Sequence, residues 1–86
     1  MTFQGSLITE QGITFAIVIV KPHVLNNSIE ANRLRNSFTS VFGNAPIILM
    51  AQNNSGVPTY YGKPDIVKFL ANISPSRIPW KQYTIS

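Results

Sequence analysis

The chain has 86 residues, no cysteine and a net charge of +4, with only 12% of its residues charged against about 25% in an average domain. That length makes one domain with one core, and such a chain buries only about 60–65% of its unfolded surface, so oligomerisation is a common supplement to stability. The missing cysteine excludes disulfides, thiolate nucleophiles, iron–sulfur clusters and thiolate-bound zinc, and it agrees with an expected cytoplasmic location.

No basic segment followed by an apolar run opens the chain, so no signal peptide is expected. The longest uncharged β-branched run, Ile13–Val20, falls well short of the roughly 20 residues that span a bilayer, and no membrane partner is expected. Asn, Gln, Ser and Thr supply most of the polarity. A surface of this kind repels its own copies only weakly, which favours self-association.

In chain order, Thr2–Thr9 alternates loosely and reads as a first strand, closed by the turn Glu10-Gln11-Gly12. Ile13–Val20 follows as the central strand. Ile13, Phe15, Ile17 and Ile19 point one way and Ala16, Val18 and Val20 the other, so it is apolar on both faces. Lys21-Pro22 stops it, because Pro22 has no N–H for the ladder. Asn27, with Glu30 three residues on, marks a helix start. The helix runs over about 28–42 with Ala31, Leu34, Phe38, Val41 and Phe42 on one stripe, and Gly43-Asn44 ends it.

Pro46–Gln52 reads as a strand, Asn53-Asn54-Ser55-Gly56 as a turn, and Val57–Tyr61 as a returning strand in which Pro58 marks either an edge or an interruption of the ladder. Pro64 and Asp65 open a second helix, with Ile66, Phe69, Leu70 and Ile73 at helical spacing. Ser74-Pro75 ends that helix, and Lys81–Ile85 is read as a short last strand.

From Ile13 onward the order is β-α-β-β-α-β. With both helices on one face this predicts an α+β two-layer sandwich of the ferredoxin-like kind, with the N-terminal segment as an extra edge strand. The alternative is a minimal thioredoxin-like fold with Pro46–Tyr61 and the second helix as its terminal β-β-α unit. In the two-layer arrangement the second face of the central strand needs a cover. The Trp80 segment, the N-terminus and a second subunit are the three options, and a second subunit is the preferred one.

Thr14-Phe15-Ala16-Ile17-Val18-Ile19-Val20-Lys21-Pro22 resembles the first strand and Lys-Pro turn of nucleoside diphosphate kinases, which are also ferredoxin-like. The resemblance covers roughly a tenth of the chain and implies the fold but not the activity. That family continues with Asp where this chain has His23, and nothing after His23 supplies its later nucleophilic histidine.

His23 is the single histidine, and with three scattered carboxylates it makes neither a metal set nor a catalytic triad. No catalytic residue, metal or cofactor is assigned. The expected function is a non-enzymatic protein-interaction domain, a homodimer joined through Tyr60, Tyr61, Ile78, Trp80 and Tyr83 on an open sheet face. A second expectation is a weak nucleic-acid binder that uses Lys63, Arg77 and Lys81 beside these aromatics. A third is a small enzyme or ligand sensor with Lys21 and His23 at the strand end, where an anion would be held.

Overall fold

The computed structural model describes residues 2–85. Five strands form one mixed sheet: β1 (Thr2–Glu10), β2 (Ile13–Ile19), β3 (Ile47–Gln52), β4 (Pro58–Tyr61) and β5 (Lys81–Thr84). Their order is β4-β3-β2-β1-β5, so the apolar run Ile13–Ile19 occupies the middle. β1 and β2 form an antiparallel hairpin with Glu10 opposite Ile13, turned by Gln11 and Gly12, both at positive φ. β2 and β3 are parallel, with Ala16 opposite Ile47 and Ile19 opposite Met50. β4 returns antiparallel to β3, and β5 lies antiparallel to the outer side of β1.

The crossover from β2 to β3 begins with a 3₁₀ turn over Pro22–Asn26 and continues as α1 (Ser28–Ser37) and α2 (Thr39–Phe42). The Asn27 side chain caps α1 by accepting from the Ile29 and Glu30 N–H groups at 3.0 and 3.1 Å. The single helix expected over 28–42 is broken at Phe38. Around the break, Ser37 and Thr39 hydroxyls donate to the Leu34 and Asn36 carbonyls, a local competition with the helical ladder. Gly43, in the left-handed region at φ 66°, closes α2 as its position predicts.

α3 (Pro64–Leu70) begins at Pro64 as expected. It lies on the opposite face of the sheet from α1 and α2. On the α1 side, Ala16, Val18, Ile47 and Leu49 pack with Phe3, Val24, Ala31, Phe38 and Phe42. On the α3 side, Phe15, Ile17, Ile48 and Met50 pack with Ile66, Leu70 and Ile78. The two parities of β2 thus divide cleanly between two cores, one per face.

This overturns the two-layer ferredoxin-like sandwich. A ferredoxin-like sheet carries both helices on one face, whereas here the sheet is the middle of three layers and β2 pairs directly with β3 along their parallel crossover. The minimal thioredoxin-like alternative fares no better. Its β3-β4-α3 unit is present, but β3 is also the second strand of the β2-α1-β3 crossover and the two helices take opposite faces. β1 is not an edge strand either, since β5 covers its outer side.

The physical reason lies in β2 and β3. Both are apolar at both parities, and burying a Val, Ile or Phe contributes about 1.5–3 kcal/mol. One helix on each face buries both sets within a single chain.

The last segment completes the α3-side cover. A 3₁₀ turn over Pro75–Arg77 leads to Ile78, which is 5% exposed. The Trp80 Nε1–H donates to the Pro75 carbonyl at 3.0 Å, and the buried Ser6 hydroxyl donates to the Pro79 carbonyl at 3.1 Å. Of the three expected covers for the second face only the Trp80 segment contributes; α3, expected on the other face, supplies the rest, and the preferred second subunit does not have to.

Candidate functional site

The five aromatic and apolar residues expected to share one surface are distributed over both faces and both edges. Tyr60 and Tyr61 are neighbours on β4, so their side chains alternate. Tyr60 packs on the α3-side core and Tyr61 on the α1-side core. Ile78 is inside the α3-side core and Trp80 lies against it. Tyr83, on β5 at the other edge, stacks on Phe3 with ring centroids 5.3 Å apart and planes 12° apart. No single face of the sheet holds all five.

The five basic candidates do not form a stripe. Lys21 and His23 follow the C-terminal end of β2, where the parallel β3 also ends. Lys63 follows β4, which runs antiparallel, and so lies at the opposite end of the sheet. Arg77 is in the 3₁₀ turn on the α3 side. Lys81 points to the α1 side, with Nζ 6.0 Å from the centre of the Tyr83 ring. His23 is exposed, and its ring makes no hydrogen bond among the described residues. No group of three or more metal-ligating side chains occurs among the described residues.

What the fold does bring together is a sheet edge. A sheet of this order has two edges, β4 and β5. β4 opens with Pro58, which has no N–H to offer an incoming strand, and follows the Asn53–Gly56 turn, where Asn53 Oδ1 accepts from the Ser55 and Val57 N–H groups. β5 has no proline and one charge, Lys81. One row of its backbone groups faces β1, and among the described residues no strand lies beside the other row. Tyr83 and Lys81 flank this edge on the α1 side, while Gln82 and Thr84 are exposed on the other.

Of the residues proposed from sequence, Trp80, Lys81 and Tyr83 therefore fall on or beside one element. Gln82 and Thr84 escape sequence reasoning, because the feature they belong to is the backbone of an edge. Only the sheet order reveals which strand is last.

Compared with protein-family models, curated proteins and solved structures, the chain matches none. No helix among the described residues is long and apolar enough to cross a membrane.

Proposed function

We propose that the chain is a non-enzymatic interaction domain that self-associates by pairing β5 with β5 of a second copy, giving a continuous ten-stranded sheet. The observation that supports this is the asymmetry of the edges: Pro58 guards β4, and nothing comparable guards β5. Side-chain register favours a second copy as the occupant. A two-fold axis normal to the sheet at Gln82 sets Lys81 opposite Tyr83 of the second copy and Trp80 opposite its Thr84. No like charges then oppose each other, and Lys81 gains a second aromatic face. The low charge of the surface leaves little repulsion to overcome.

A four-residue ladder is small beside standard interfaces of about 1,600 Å², so the association is weak and concentration-dependent. Sedimentation over rising concentration tests it, with mass climbing toward the dimer by about 100 µM. Gln82→Lys and Gln82→Glu each place like charges across the axis and should remain monomeric alone. Mixed together they should restore the dimer. A monomer throughout, or single variants that dimerise as the parent does, would end this reading. Gln82 is exposed, so neither substitution disturbs the core.

A further inference from the structure

The turn of the β1–β2 hairpin and the start of α3 come from distant parts of the chain and enclose a cleft on the α3 side. It is lined by Glu10, Gln11, Ile13, Phe15, Asp65, Ile66 and Phe69, with a volume of about 170 Å³. Phe15 and Phe69 meet edge to face at its floor, 6.4 Å between ring centres. A smaller hollow of about 80 Å³ continues it past the same two rings to Arg77 and Ile78.

The rim is chemically unlike the rest of the surface. The chain has three carboxylates among 86 residues and a net charge of +4, yet Glu10 and Asp65 both stand at this cleft. Glu10 makes no ion pair among the described residues, while Asp65 Oδ1 accepts from the Ile66 N–H at 2.9 Å and leaves Oδ2 at the rim, 3.9 Å from the exposed Lys63 Nζ. Ile13 is 48% exposed beside them, an apolar side chain left at the mouth. The backbone of Gln11 is held at φ 51°, a region non-glycine residues seldom occupy, and this turn carries Glu10 to the rim.

We propose that this cleft is a binding site for a small organic cation, a protonated amine joined to a compact apolar body. The apolar part fills the space over Phe15, Ile66 and Phe69. The ammonium group sits between the Glu10 and Asp65 carboxylates, with the half-exposed Phe69 ring as an additional cation contact. Glu10 lines both the cleft and the far hollow, whereas Arg77 lines only the hollow and Asp65 only the cleft, so the cationic end of the bound molecule is at the Asp65 side. The volume suits a compact ligand rather than a folded partner.

The test is an amide NMR titration of the full chain with phenethylammonium, run beside 2-phenylethanol and 3-phenylpropionate as neutral and anionic analogues. Saturable shifts at Gln11, Ile13, Asp65 and Phe69 are expected for the ammonium. Glu10→Gln and Asp65→Asn should each weaken it by about fivefold, the scale of one partly exposed charge contact. Glu10 is exposed, and Asp65→Asn keeps the side-chain oxygen that accepts from the Ile66 N–H, so unchanged amide shifts of α3 in the free variant separate loss of the charge from loss of the helix start. Absence of saturable shifts at millimolar ligand, shifts centred elsewhere, or equal binding of the alcohol would each overturn the site.

Discussion

The Arg35 Nε–H donates to the main-chain carbonyl of Ile47 at 2.9 Å, tying the end of α1 to the first residue of β3. The same guanidinium lies 5.8 Å from the centre of the Tyr61 ring, and Nη1 donates to Asn32 Oδ1. One half-buried side chain therefore joins the α1–β3 connection to the edge strand β4. Arg35→Ala should lower stability by about 1–2 kcal/mol, a charged hydrogen bond and a stacking contact discounted for partial exposure. Arg35→Lys should recover little of this, since an ammonium cannot reproduce the planar fork. The shift in urea midpoint measures both.

Tyr60 presents the opposite case. Its hydroxyl oxygen is sealed from solvent and has no hydrogen-bond partner among the described residues. An unsatisfied buried hydroxyl costs about 1–3 kcal/mol, so Tyr60→Phe should leave stability unchanged or raise it by about 1 kcal/mol. Burial also pushes the phenol pKa above its ordinary value of 10.0. The folded state then holds its proton after the unfolded state has released it. That contribution is complete below the unfolded pKa and is lost as pH rises through the folded one. Unfolding free energy should therefore fall with pH above about 10, and less steeply in Tyr60→Phe, as paired denaturation curves would register.

Gly5 is required by close approach rather than by a turn. A Cβ there would stand 2.7 Å from the Ile17 carbonyl oxygen and 3.3 Å from the Phe3 ring. The first obstacle is backbone of the central strand, which cannot swing aside. Gly5→Ala should cost about 1–3 kcal/mol, read from the thermal midpoint. Gly12→Asn is the contrasting control, because an added Cβ there meets nothing within 4 Å and Asn tolerates the left-handed turn. A Gly5→Ala midpoint equal to that of the parent would contradict the close approach of Gly5 to the Ile17 carbonyl.

Much of the local structure is legible in the residues. Asn27 caps α1, Pro64 opens α3, Gly43 ends α2 and Pro58 begins an edge strand, each through chemistry confined to a few neighbouring atoms. The break at Phe38 is less legible, because the apolar stripe runs through it while Ser37 and Thr39 compete for carbonyls only in the folded helix. The grouping of Tyr60, Tyr61, Ile78, Trp80 and Tyr83 depends on strand order, which no local pattern encodes. The same holds for Glu10 and Asp65, which stand far apart in sequence and meet only because α3 crosses under the β1–β2 hairpin.

By itself the sequence determined that Ile13–Val20 would hold a central strand apolar on both faces, observed as Ile13–Ile19, because side-chain direction along a strand has a period of two and needs no distant partner to be read. Only the tertiary structure decided what buries it. A helix stripe shows that a helix must cover a face, not which face, and that choice follows from the path the chain takes over the sheet. Here α1 and α2 take one side, α3 and the Ile78–Trp80 segment take the other, and the demand that pointed to a second subunit is met within the chain. The edge without a proline is at β5, two strands from where the apolar pattern directs attention.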